Sequence, residues 1–176
     1  PEASLFLDLK FHDIPNTVAG AVRSICARFS PAYLNVHASG GAEMMAAARE
    51  ACGRETKLLA VTMLTSLDEA AIEKIGYRAG IGDRVAQLAQ FAQEAGLDGV
   101  VCSAHEIRAL RAACGPDFRL MVPGIRPQGA AQGDQKRVMT PKEALDAGAS
   151  HLVIGRPITE ADDSAAAARE ILTSIQ

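Results

Sequence analysis

Leu5-Phe6-Leu7-Asp8-Leu9-Lys10-Phe11-His12-Asp13-Ile14-Pro15-Asn16-Thr17 opens as a strand, closes on a helix start, and carries charges where neither element favours them. A strand turns successive side chains to opposite faces, so Leu7, Leu9 and Phe11 are expected on one face, with Asp8 and Lys10 on the other. Parallel sheets are normally covered and apolar on both faces. A carboxylate and an ammonium placed there are costly unless paired and hydrogen-bonded. Both stand at the C-terminal end of the strand, where open α/β sheets and (β/α) barrels alike keep their chemistry. Asp13 follows in the loop, Pro15 ends the extended run, and Asn16 or Thr17 is expected to cap the next helix. One reading is a structural ion pair closing the upper layer of the sheet. The other, which is favoured, is a Lys10 ammonium kept protonated between Asp8 and Asp13, ready to give a proton to a developing carbanion.

The same alternation runs along the rest of the chain. Apolar runs at Leu5–Leu9, Tyr33–Val36, Leu58–Leu64, Gly99–Cys102, Leu120–Val122 and Leu152–Ile154 recur roughly every 30 residues, the length of a βαβ unit. Between them lie Ala-rich amphipathic stretches at Thr17–Phe29, Glu43–Cys52, Asp83–Ala95, Ala104–Ala113, Pro141–Ala147 and Ser164–Ile175. Thr140, Pro141 and Glu143 form a capping box with proline at the first helical position. Gly96 and Gly148 sit where helices stop.

Strands alternating with helices pair in parallel, either in an open doubly wound sheet or in a closed (β/α)₈ TIM barrel. Six units are visible, whereas a barrel needs eight and typically about 250 residues. The first strand begins almost at residue 1, with no helix before it. The expectation is one barrel domain over residues 1–176 that carries strands 3–8 with their helices, the first two βα units missing. Taken literally, such a chain is expected to be inactive and poorly soluble, with two open sheet edges.

Composition excludes several classes. The 176 residues are 48% hydrophobic and 22% charged, the balance of a soluble globular protein. A net charge of −3 without clustered Lys and Arg argues against nucleic-acid binding, and aromatics at 4% with no Trp argue against base stacking. No apolar run reaches the length of a membrane span, and there is no signal-peptide layout. Cys26, Cys52, Cys102 and Cys114 include no C-x-x-C pair, so they read as small buried hydrophobes in a reducing cytoplasm. The histidines show no metal-ligand spacing.

Two further strand ends carry glycine and arginine: Pro123-Gly124-Ile125-Arg126-Pro127 and Gly155-Arg156-Pro157. Glycine lets a backbone approach a ligand closely, and arginine grips an oxyanion in bidentate fashion. In a barrel with two earlier strands, these are the loops after strands 7 and 8, the usual phosphate site. The long connection from Gly124 to Thr140 reads as a closing flap whose Gln135 could reach the ligand, or else as a disordered insertion. His37 is expected at the mouth, as a structural or a catalytic group. Thr65 could donate to a polar ring or cap a helix after Ser66. Asp68, Glu69, Asp162 and Asp163 read as first-turn helix charges.

The run Asp8-Leu9-Lys10-Phe11-His12-Asp13-Ile14-Pro15-Asn16-Thr17 resembles the signature of the orotidine 5′-monophosphate decarboxylase family. Val61–Ser66, Pro123–Pro127 and Val153–Pro157 resemble further family segments in the expected order. The resemblance implies a cytoplasmic homodimeric (β/α)₈ barrel that converts orotidine 5′-monophosphate (OMP) to UMP, with neither metal nor organic cofactor. It implies that Asp8 and Lys10 are the central Asp and proton-donating Lys of a Lys/Asp array, and that Asp13 and Thr17 reach the partner's site with Ile14 beside them. It implies Thr65 at the pyrimidine, with Pro123, Arg126, Gln135, Gly155 and Arg156 around the rest of the nucleotide. The family's first-strand Asp and second-strand Lys have no counterpart here. Two rivals stand. Phosphosugar enzymes of the same superfamily share Asp-x-Lys-x-x-Asp but use Mg²⁺. A non-catalytic phosphate-ligand module on an open six-stranded sheet would explain the length but not the charge cluster.

Overall fold

All six apolar runs form strands, and neighbouring strands pair in parallel. The computed structural model describes residues 3–78, 80–127 and 139–175. Its strands are β1 (Phe6–Phe11), β2 (Tyr33–His37), β3 (Lys57–Val61), β4 (Gly99–Val101), β5 (Arg119–Pro123) and β6 (His151–Val153). The sheet order is β1-β2-β3-β4-β5-β6. A doubly wound sheet reverses its strand order at a switch point, so an order that follows the chain throughout excludes that alternative. The strands form a curled half-barrel of TIM-barrel type.

Period two sorts the strand side chains. Leu34, Val36, Leu58, Ala60, Val100, Leu120 and Val122 join one buried cluster with residues of the helices. The helices are α1 (Pro15–Phe29), α2 (Ala42–Ala51), α3 (Glu69–Lys74), α4 (Ile81–Glu94), α5 (Ile107–Cys114), α6 (Pro141–Asp146), α7 (Arg156–Thr159) and α8 (Ser164–Ser174). The alternate set turns to the concave side. There Tyr33 Oη of β2 lies 3.0 Å from His151 Nε2 of β6, and the Phe6 ring stands edge-on to Tyr33. Burial, helped by the Arg119 charge, holds the His151 imidazole below its usual range. This aromatic layer closes the N-terminal end of the concave face and leaves the C-terminal end for the polar groups.

Local signals explain most boundaries. The Thr140 capping box forms as expected: Thr140 Oγ1 accepts from the Glu143 N–H at 3.3 Å, and Glu143 Oε2 accepts from the Thr140 N–H at 2.9 Å. Asp163 caps α8 through the Ala166 N–H. The start of α1 corrects the sequence reading: Ile14 is the N-cap and Pro15 opens the helix, so Asn16 and Thr17 lie within its first turn. Proline suits that position because its missing N–H would have had no partner. Helix α3 starts where Asp68 and Glu69 signal a helix, with Asp68 as its N-cap, whereas α7 was not foreseen, and β3 ends at Val61 rather than Leu64.

At the opposite end of the strands, Asp98 ties three segments together. Its Oδ2 accepts from Arg49 Nη1 at 2.6 Å and from the Leu58 N–H at 2.9 Å, and Lys57 Nζ stands 3.5 Å from Oδ1. Asp98→Ala would leave the Leu58 N–H without its acceptor and the Arg49 guanidinium without its carboxylate, with only the Gly53 and Thr56 carbonyls to hold it. The expected cost is about 2–3 kcal/mol. Chemical denaturation measures it, and activity per folded molecule is expected to stay unchanged because the site lies at the other end of the sheet.

Candidate active site

Strand β1 does not run straight. Its pairing with β2 steps from Leu7↔Leu34 to Phe11↔Val36, four residues against two, so Asp8, Leu9 and Lys10 form a bulge. Lys10 takes φ of 51°, the left-handed region that costs a non-glycine residue about 1–3 kcal/mol. Bulges of this kind re-aim side chains and are common beside active sites. The strict alternation expected from the sequence therefore breaks at Leu9. Leu7 and Phe11 pack against the core, whereas Leu9 is 45% exposed. Asp8 and Lys10 still share the concave face with Phe6.

Lys10 Nζ donates to Asp8 Oδ1 at 2.6 Å. The same oxygen accepts from Asn35 Nδ2 at 2.6 Å, and Asn35 Oδ1 accepts from the Lys10 backbone N–H at 2.8 Å. Burial by itself would raise the Asp8 carboxyl. The hydrogen bonds from Lys10 and Asn35, with the charges of Lys10 and His37, outweigh it and hold the group below the ordinary carboxylate range. Asp8 is thus a standing negative charge against the Lys10 ammonium.

The pair forms one wall of a cleft of about 210 Å³, lined otherwise by Phe6, Val61, Met63, Leu64, Thr65, Val101, Cys102, Pro123 and Val153. Most of that lining is apolar. A low-polarity wall facing a fixed ion pair strengthens the field any small ligand would feel. Cys102 is buried and its thiol is pushed up by that burial, so it acts as a small apolar group and not as a nucleophile. Thr65 faces the cleft and caps no helix; Asp68 caps α3 by accepting from the Ala71 N–H at 3.0 Å. His37 ends β2 with its ring centroid 5.3 Å from that of His12, and burial, assisted by the His12 and Lys10 charges, holds it below the usual imidazole range.

Of the expected site residues, the structure brings Asp8, Lys10, Thr65 and Pro123 into one cleft. Asp13, Ile14 and Thr17 lie outside it and are exposed, with Asp13 Oδ1 accepting from the Ile14 N–H at 2.7 Å. Arg126 is buried, its Nη1 donating to the Ile125 carbonyl at 3.0 Å. Ile125 bridges Met139, and the Arg126 N–H donates to the Met139 carbonyl at 3.1 Å, so the two ends of the long connection are tied together. Gln135 lies outside the described residues. Gly155 and Arg156 are exposed at the end of β6, where the Gly155 carbonyl accepts the N–H groups of Ile158 and Thr159 in α7. Sequence reasoning missed Asn35. Its only signal was an amide in the middle of the otherwise apolar run Tyr33–Val36.

Among the described residues, no three His, Cys, Asp or Glu side chains are grouped so as to hold a metal ion, and no helix is long and apolar enough to cross a membrane. All four cysteines are free thiols.

Known proteins match this arrangement along nearly its whole length. The sequence is 56% identical over 175 residues to a protein of Idiomarina loihiensis named orotidine 5′-phosphate decarboxylase, covering 98% of this chain and 75% of that one. A Thermobifida fusca protein of the same name is 57% identical over 175 residues, covering 99% and 74%. Among solved structures, the crystal structure of orotidine 5′-phosphate decarboxylase from Lactobacillus acidophilus superposes with a TM-score of 0.86 at 38% identity, covering 98% of this chain and 75% of that one. Bulge, ion pair and apolar cleft all fall within residues 2–171, the span matched by one family's sequence profile, and with relatives this similar the chain belongs to the orotidine 5′-phosphate decarboxylase / HUMPS family.

Proposed function

We propose that this protein decarboxylates OMP to UMP, a step of pyrimidine biosynthesis, without metal or organic cofactor. The observation that carries the reading is the Lys10 ammonium held 2.6 Å from Asp8 on the wall of an apolar cleft at the C-terminal end of a parallel half-barrel. A cleft of about 210 Å³ suits a pyrimidine ring, leaving ribose and phosphate for the strand ends around Arg126, Gly155 and Arg156. Thr65 is assigned to the pyrimidine. Loss of CO₂ breaks the bond between C6 and the carboxyl carbon and leaves the electron pair on C6. Lys10 stabilises that carbanion electrostatically and then delivers its proton to it. Asp8, together with Asp13 of a second copy, orients the ammonium and crowds the departing carboxylate.

On this reading the six units are strands 3–8 of a single (β/α)₈ barrel domain, and Asp13 and Thr17, exposed beside Ile14, reach the site of a second copy in a cytoplasmic homodimer. Gln135 is assigned to the phosphate. Intact-mass measurement of the protein made from its own gene tests the barrel assignment; a mass equal to these 176 residues, together with normal activity, would overturn it.

The function is tested by incubating the complete gene product with OMP, with and without EDTA, and following UMP and CO₂. Equal turnover in both is expected. Turnover abolished by EDTA would favour the Mg²⁺-dependent phosphosugar enzymes, and UMP binding without decarboxylation would favour a non-catalytic ligand module.

A further inference from the structure

We infer that Asn35 is a positioning residue for the proton donor: its side-chain amide clamps the β1 bulge so that the Lys10 ammonium and the Asp8 carboxylate stay in register. The inference rests on the function proposed above. Asn35 sits mid-strand in β2, between Leu34 and Val36, and is fully buried. Its two amide atoms do different work. Oδ1 takes the Lys10 backbone N–H at 2.8 Å, and Nδ2 donates to Asp8 Oδ1 at 2.6 Å. Only an oxygen can meet the first group and only an N–H donor the second, so the orientation of the amide is fixed by its partners.

The clamp acts where the backbone needs it. Between Leu7 and Phe11 the ladder to β2 loses its register, and Lys10 holds a left-handed φ of 51°. Such a conformation persists only when surrounding contacts over-determine it. The Asn35 side chain replaces the ladder bond that the bulge removes. The same side chain reaches the Asp8 oxygen that Lys10 Nζ contacts at 2.6 Å. One buried residue therefore fixes the donor's backbone and its counter-ion together. Leu has similar bulk but neither polar atom. Asp keeps the acceptor toward Lys10 and sets a carboxylate oxygen against Asp8.

The test compares Asn35→Leu and Asn35→Asp with the wild type in the complete gene product. It reads kcat and KM for OMP, the pH profile, and hydrogen exchange at the Lys10 amide. In Asn35→Leu, kcat is expected to fall on the order of 10- to 100-fold, the cost of misplacing a reacting group by about 1 Å, while KM moves less than about threefold. The Lys10 amide is expected to lose its exchange protection. Asn35→Asp is expected to keep that protection, yet to raise the acid limb of kcat, because two carboxylates in contact share a proton. Lys10, His12 and His37, the other titratable groups around Asp8, are unchanged in both variants. Wild-type kcat per folded molecule in Asn35→Leu, with only a lowered Tm, would overturn the inference and leave the proposed function standing. If the wild type turns over no OMP, that function falls, and Lys10 amide exchange alone decides: protection retained in Asn35→Leu overturns the clamp.

Discussion

Lys10→Ala is expected to lower kcat for OMP by at least about 10⁴-fold while changing UMP affinity only a few-fold. Removing a positioned proton donor alone costs up to about 10⁴. Removing a preorganised charge at the developing carbanion costs on the order of 10²–10³ more, although the two losses need not multiply. A factor of 10⁴ corresponds to about 5.4 kcal/mol of transition-state stabilisation. Binding is spared because the nucleotide's phosphate is assigned to Arg126, Gly155 and Arg156, which lie outside the cleft that Lys10 lines. The fold is also spared: the Lys10 side chain is 37% exposed and joins an ion pair of the kind worth little to stability. Lys10→Arg is not expected to rescue turnover, since a planar guanidinium gives up its proton too reluctantly to act as an acid. Steady-state turnover and UMP titration of the same preparations check both halves. Near-normal turnover in Lys10→Ala would remove Lys10 from the mechanism.

Much of this was legible in the sequence because it follows from periodicity and sparse chemistry. The β1 charges stood out against the apolar strand pattern, and the repeat of short apolar runs with amphipathic stretches gave the parallel sheet. Three features were not legible. Strict alternation put Leu9 beside Leu7 and Phe11, because nothing local announces that Lys10 will take a left-handed φ; no glycine marks the bulge. The apolar run through Leu64 outlasted β3, because Met63 and Leu64 line the cleft instead of continuing the ladder, and a hydrophobic residue reads the same in either place. Helix α7 spans four residues, too short for a period of 3.6 to emerge. Asn35 was hidden for another reason. Its meaning depends on a residue 25 positions earlier, and only the pairing of β1 with β2 brings the two together.

Asp8→Asn is expected to lower kcat about 10²- to 10³-fold at neutral pH with little change in Tm, and the pH dependence of that loss identifies the charge responsible. The substitution keeps shape and removes the anion. An amide NH₂ placed there meets the donors of Lys10 and Asn35, both of which now contact one carboxylate oxygen. Stability changes little because the Asp8 side chain is 48% exposed, and ion pairs this open contribute little to folding. The sign of the pH effect follows from the direction of the shift. The folded-state carboxyl lies below the ordinary 3.8, so the charged form is the one the fold favours. Whatever stability and function it supplies is present above that ordinary value and is lost as pH falls through the lower, folded one. The groups facing Asp8 are Lys10, Asn35 and His37, with His12 beyond, and the variant retains all of them. Their titration is therefore common to both enzymes, except that the variant lacks the Asp8 charge that raises the His37 imidazole. The ratio of wild-type to variant kcat is expected to change little between about pH 5 and 8 and to fall only below the ordinary 3.8, as the wild-type carboxylate takes up its own proton. A purely structural ion pair would instead give a ratio near one throughout, with any effect confined to Tm. A ratio that falls steadily from pH 8 to pH 5 would assign the essential anion to some other group and return Asp8 to the part of a counter-ion.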